Sequence, residues 1–160
     1  MKKLLFLLTF FIFSISFGQN DKIRINLNKT SILELEREKF DPKNHTIELY
    51  DGKFVTAIDN IILFGSDGDM PKYKLKKATL IIENRKYNLQ IDNMYNPWFG
   101  DSTNEKLFKI IKDGTQYILH GMFADGAGTY AAEWLIEEKA SIRTILTKDE
   151  VLIEEHFEKK

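Results

Sequence analysis

Short segments that alternate apolar and polar residues follow one another along most of this chain, with tight-turn residues between them. Alternation with a period of two is typical of a β-strand that buries one face. Asp51-Gly52 and Asp113-Gly114 separate such segments, and an Asp-Gly pair suits the positive φ angles of a type I′ hairpin turn. No helix long enough for a parallel crossover fits between the segments. The sequence therefore predicts a mainly β protein, an antiparallel β-sandwich or half-open barrel with one or two short helices.

The clearest predicted hairpin has its two-residue loop at residues 84–85. In that register Ile82 pairs with Tyr87 and Leu80 pairs with Leu89, and the opposite face is polar apart from one isoleucine. An antiparallel sheet that covers a core on one side requires this one-sided alternation. We therefore expect these four side chains to lie in the core.

Capping boxes, in which glutamate follows serine or threonine by three residues, begin at Ser31 and at Thr147. The first predicts a short helix over residues 31–40. The second is compatible with a terminal helix or an edge strand over residues 147–157. Residues 107–111 fit a helix or a strand, and the Asp-Gly pair that follows them favours the strand.

The N-terminus has the three parts of a secretory signal peptide. Two lysines precede an apolar run that ends at residue 17, and Ser16 and Gly18 supply the small residues of a cleavage site. The run is shorter than the roughly 20 apolar residues that span a bilayer. The sequence predicts a cleaved signal peptide over residues 1–18, a single β-rich domain over residues 19–160, and an exported protein, periplasmic or secreted, without a stable membrane anchor.

Signal cleavage is expected between Gly18 and Gln19. Intact-mass measurement of the exported protein should therefore give the mass of a chain that begins at Gln19. A mature protein that still carries residues 4–17 would contradict both the cleavage site and the absence of a membrane anchor.

Composition excludes several functional classes. The chain carries 23 Lys and Arg against 24 Asp and Glu, or 21 against 24 once Lys2 and Lys3 leave with the predicted signal peptide, so it lacks the basic excess of a nucleic-acid-binding protein. Without cysteine it has no thiol nucleophile and no cysteine metal site. The carboxylates of residues 65–69 lack the spacing of an EF-hand and predict a turn. We expect no metal and no cofactor.

One acid–base pair follows from the predicted strand pairing. A hairpin over residues 116–137 places His120 opposite Glu133, and the next strand places Thr144 opposite Glu133. The pair could be a general base oriented by a carboxylate, or a histidine satisfied by its neighbour in a β-core. Because catalysis also needs a nucleophile or a metal, the sequence favours a non-catalytic protein.

Aromatic residues supply the candidate binding positions. The same predicted strands carry Tyr130, Trp134 and Arg143 on one face, where the arginine either stacks on the indole or covers the edge of the core. Residues 95–101 form an irregular loop that contains Tyr95, Trp98 and Phe99. These aromatics either plug the end of the sandwich or present a patch to a partner.

The leading functional prediction is an exported non-catalytic binding protein that engages a protein partner in the periplasm or at the cell surface. Immunity proteins and inhibitors are likewise small, poor in cysteine and mildly acidic. The alternative is a β-sandwich that binds a carbohydrate or small ligand by stacking it on Trp98, Tyr130 or Trp134. The third hypothesis is a small hydrolase that uses His120 and Glu133.

Overall fold

The computed structural model of the chain describes residues 21–99, 106–123 and 126–158. The predicted signal peptide and its cleavage site lie outside these residues. The described strands are β1 (Lys22–Asn26), β2 (Ser31–Lys39), β3 (Ile47–Tyr50), β4 (Phe54–Ile58), β5 (Ile61–Ile62), β6 (Tyr73–Ile82), β7 (Arg85–Asn88), β8 (Phe108–Asp113), β9 (Gln116–Phe123), β10 (Tyr130–Glu137) and β11 (Ala140–Thr147).

The strands form three antiparallel sheets. The first sheet has the order β1-β2-β6-β7, the second has the order β11-β10-β9-β8, and a small third sheet has the order β3-β4-β5. Apolar side chains from the two four-stranded sheets share one core. In the described part of the chain the sheets stay open and do not close into a barrel. The mainly β, sandwich-like prediction is therefore confirmed.

The helix predicted over residues 31–40 is wrong, because these residues form strand β2. Leu33, Leu35 and Arg37 are buried, and the residues between them are more exposed, which is the period of a strand. β2 pairs with both β1 and β6 at the centre of the first sheet. Pairing on both sides outweighs the capping box at Ser31, which stabilises a helix only locally.

The β6–β7 hairpin buries the predicted face in a different register. Its turn is Glu83-Asn84, with φ angles of 48° and 71°, and Leu80 pairs with Tyr87 rather than with Leu89. The predicted pairing was therefore wrong by two residues. A shift of two keeps every side chain on its own face, so Leu80, Ile82, Tyr87 and Leu89 are all buried as predicted.

Two further predictions concern the C-terminal half. The strand preferred over residues 107–111 is confirmed as β8, which turns at Gly114 into β9. The terminal segment is helical: α1 (Glu150–Ile153) continues into a π-helical turn over Glu154–Glu158. Its cap is Asp149 rather than Thr147, because the Asp149 carboxylate accepts hydrogen bonds from the backbone N–H groups of Val151 and Leu152.

Truncation of the apolar face of the hairpin should destabilise the protein. Leu80 is wholly buried between the sheets, so Leu80→Ala should lower the free energy of unfolding by about 2–5 kcal/mol, and Leu89→Ala by a similar amount. Lys86→Ala, on the exposed side of the same hairpin, should change it by about 0.5 kcal/mol or less. Urea melts that give equal losses for Leu89→Ala and Lys86→Ala would contradict this assignment of the buried and exposed faces.

Candidate functional site

The loop at residues 93–99 is partly a plug and partly a surface. Tyr95 and Phe99 are buried, whereas Trp98 between them remains 43% exposed. The Tyr95 ring packs in a second apolar cluster under the small sheet, edge-on to Phe40, and Phe99 belongs to the main core. Of the three aromatics predicted here as binding residues, Trp98 alone is exposed. Residues 100 and 101 of the predicted loop lie outside the described residues.

Arg37 anchors this loop from strand β2. Its guanidinium carbon lies 4.2 Å from the centroid of the Tyr73 ring and 4.8 Å from that of Phe99. Its Nη1 donates to the Pro97 carbonyl at 3.1 Å, and its Nε lies 3.6 Å from an Asp21 carboxylate oxygen. A planar cation between two rings adds cation–π attraction to the hydrogen bond. Sequence analysis missed Arg37 because the helix predicted there hid its inward-facing position.

Asn96 fixes the chain direction just before Trp98. Its side-chain oxygen accepts from the backbone N–H groups of Lys72 and Tyr73, at 2.9 and 3.1 Å, and its amide nitrogen donates to the Gly65 carbonyl at 2.8 Å. Three hydrogen bonds from one side chain tie the loop to β6 and to the loop after β5. Trp98 therefore projects from a rigid support.

Tyr130 and Trp134, which the sequence predicts as binding residues, are buried in the core. The Tyr130 hydroxyl donates to the Tyr95 carbonyl at 3.1 Å, and burial raises the pKa of this phenol far above its usual value. The Trp134 indole N–H donates to the Gln90 carbonyl at 2.9 Å. Neither ring can stack on a ligand in this structure, because both side chains are almost wholly buried.

Arg143 lies opposite Trp134 as predicted, at the edge where the second sheet meets β7. Its Nη1 donates to the Asp92 carbonyl at 2.7 Å, and its backbone N–H donates to the Gln90 side-chain oxygen at 2.9 Å. Partial burial lowers the pKa of the guanidinium, which nonetheless stays charged. Arg143 therefore joins the edges of the two large sheets.

The acid–base pair is present on the outer face of the second sheet. His120 Nε2 lies 3.1 Å from Glu133 Oε2, and the Thr144 hydroxyl donates to Glu133 Oε1 at 2.6 Å. The predicted pairing of Glu133 with Thr144 was wrong by one residue, because a β-bulge follows Glu133 and Glu133 pairs with Ile145 instead. The ring of Phe157, from the terminal helical turn, lies 5.0 Å from the His120 ring.

The order of these groups decides what they can do chemically. A hydroxyl nucleophile must contact the histidine that takes its proton. Here the Thr144 hydroxyl donates to the carboxylate instead, so Glu133 stands between the other two side chains. The arrangement gives the half-buried Glu133 carboxylate its polar partners and joins β9, β10 and β11.

The small sheet exposes an apolar surface that sequence analysis missed. Tyr50, Phe54 and Ile62 line an open groove of about 590 Å³, and Tyr50 is 71% exposed. Leu49 and Ile61 of the same sheet are also exposed. In β4, Phe54 alternates with the buried Val55 and Ala57, so this strand has the sequence pattern of an ordinary half-buried strand. We call the surface lined by Tyr50, Phe54 and Ile62 the small-sheet groove.

A polar cleft of about 490 Å³ is lined in part by the loop at residues 65–70. Trp98 and Met70 line the cleft, and each side chain is about two-fifths exposed. Its polar lining includes Asp67, Asp69 and Lys72. We call this the Trp98 cleft.

The described residues hold no group of three or more His, Cys, Asp or Glu side chains that could bind a metal ion. Nor does this part of the chain contain a helix long and apolar enough to cross a membrane. The chain matches no protein-family model, no curated protein and no solved structure.

Proposed function

We propose that this chain is an exported, non-catalytic binding protein that engages a protein partner, in the manner of an immunity protein or inhibitor, through the small-sheet groove. The observation that carries the proposal is the exposure of Tyr50, Phe54 and Ile62, which together line one groove on a three-stranded sheet. Monomeric proteins rarely leave large apolar side chains clustered in water, and such clusters mark interaction sites. Tyrosine and other aromatics are enriched at these sites.

The charge around the groove indicates what kind of partner fits. Residues 46–70, which form the small sheet and the loop after it, contain five acids and one lysine. The chain as a whole has a net charge of only −1. His45 lies 2.6 Å from Asp59 and lowers the pKa of that carboxyl, which keeps it charged. Lys148 also lines the groove, so acids outnumber lysines around it by five to two. A partner that places apolar side chains in the groove and basic ones around it would match this surface.

The His120–Glu133–Thr144 arrangement supports the non-catalytic part of the proposal. Its hydroxyl is bonded to the carboxylate and not to the imidazole, and the terminal Phe157 packs against the histidine. These contacts account for the three side chains as a structural cluster between strands and the terminal helix.

Site-specific photo-crosslinking would test the proposal in cells that make the protein. A photo-reactive phenylalanine derivative at position 54 should crosslink to one basic protein of the exported fraction. The same derivative at position 142 is the control, because Ile142 is similarly exposed but lies on β11 of the second sheet. Crosslinks that form equally from both positions would contradict a groove-specific partner.

The crosslinked protein should then be purified and titrated against the variants. Phe54→Ser should raise the Kd by at least about tenfold, as expected for an aromatic anchor that is buried on binding. Ile142→Ser should leave the Kd unchanged. Higher salt should weaken binding further, because the proposed partner is basic. A Kd that is insensitive to Phe54→Ser would refute the groove as the interface.

A further inference from the structure

We infer that the Trp98 cleft is a second binding site, which takes a neutral, hydroxyl-rich ligand such as a short oligosaccharide. This goes beyond the proposed protein partner and rests on a different surface. The cleft and the small-sheet groove share Ser66 and Asp67 in their linings, but their other lining residues differ. Its volume of about 490 Å³ falls within the range of roughly 300–1,000 Å³ found for small-molecule sites.

The partly exposed indole of Trp98 lines the cleft. An apolar ring that is 43% exposed beside a polar cleft offers a flat surface against which the C–H face of a sugar ring can pack. Pro97, the preceding residue, is buried, and its carbonyl accepts a hydrogen bond from Arg37 at 3.1 Å. Because the loop is held on the protein side, little conformational entropy is lost when a ligand packs on Trp98.

Charged side chains with free hydrogen-bonding capacity also line the cleft. Within the described residues, the side chains of Asp67, Asp69 and Lys72 make no hydrogen bond or salt bridge with the protein. The two carboxylates are acceptors and the ammonium group is a donor. A ligand hydroxyl both donates and accepts, so one polyol can satisfy all three groups.

The charged side chains that line the cleft favour a neutral ligand over an ionic one. Arg37 also lines the cleft, so the two carboxylates of Asp67 and Asp69 are matched there by two cations. A ligand with a net charge of either sign would therefore meet like charge in the cleft. The Asn96 amide in the lining is uncharged, and it is already hydrogen-bonded to three backbone groups.

Tryptophan fluorescence gives a direct test, because the chain has two tryptophans and Trp134 is buried. The full-length mature protein would be titrated with soluble cello-, chito- and malto-oligosaccharides up to about 10 mM, where a ligand with a Kd of 1 mM nearly saturates. We expect at least one series to shift the emission of Trp98 saturably. No saturable shift with any series would overturn the inference.

Variants locate the site and separate it from the protein interface. Trp98→Ala and Asp69→Asn should each weaken oligosaccharide binding by at least about tenfold, measured by calorimetry so that loss of the fluorophore does not matter. Asp51→Asn is the matched control, because Asp51 lies in the β3–β4 turn outside the cleft. Equal affinities for wild type and Trp98→Ala would overturn the inference, and so would binding of lysine oligomers alone. Phe54→Ser should leave oligosaccharide binding unchanged, so this proposal and the protein-partner proposal fail independently.

Discussion

Gly65→Ala should destabilise the protein by more than about 4 kcal/mol, the exceptional range for a single substitution. A Cβ added at Gly65 would lie 2.0 Å from the Tyr95 carbonyl oxygen, and the residue has a φ of +94°, which side chains rarely adopt. The oxygen cannot move aside easily, because it also accepts the hydrogen bond of the Tyr130 hydroxyl in the core. Urea unfolding followed by far-UV circular dichroism would measure the loss.

Gly52→Ala is the control that isolates the backbone contribution. Gly52 also has a positive φ, of +65°, but a Cβ there would meet nothing within 4 Å. We expect this variant to lose only about 1–2 kcal/mol, the usual cost of alanine in the left-handed region. If both variants lost the same amount, the close approach of Gly65 to Tyr95 would be disproved.

Trp134→Ala should lower the free energy of unfolding by about 3–5 kcal/mol, because it removes a large, fully buried side chain. The Trp134 ring packs near Phe123 in the main core, with ring centroids 6.4 Å apart. The substitution also leaves the Gln90 carbonyl without its indole donor. The same urea melts would measure this loss.

Trp98→Ala provides the comparison within the same chain. Trp98 is 43% exposed, so its loss should cost about 1 kcal/mol or less of stability. The sequence predicted both tryptophans as binding residues, and the structure buries Trp134 while it leaves Trp98 partly exposed. A larger stability loss for Trp98→Ala than for Trp134→Ala would reverse that assignment.

Local sequence determined where most strands lie and which way their residues face. Alternation in the hairpin of β6 and β7 placed Leu80 and Leu89 in the core, although the pairing was wrong by two residues. Periodicity specifies the face of a strand because side chains point to opposite sides in turn. It does not specify the pairing partner, which here depends on a turn at Glu83-Asn84 that lacks a typical turn pair.

The local signal also failed where neighbouring strands outweighed it. The capping box at Ser31 favours a helix over a few residues, whereas β2 is paired along both edges in the first sheet. The alternation of Leu33, Leu35 and Arg37 was visible in the sequence and would have predicted the strand. Reading it would have placed the Arg37 side chain inward.

Tertiary packing alone decided which aromatics are available for binding. Whether an aromatic on a strand is buried depends on what covers that strand, and the covering residues are distant in sequence. The Trp134 indole N–H donates to the Gln90 carbonyl, which follows β7, and the Tyr130 hydroxyl donates to the Tyr95 carbonyl. Both buried aromatics therefore contact segments that are distant from them in sequence. Tyr50 and Phe54 have equally strand-like surroundings but lie on a small sheet whose outer side no described element covers. The sequence contains the aromatics, and the arrangement of the three sheets determines which of them meet water.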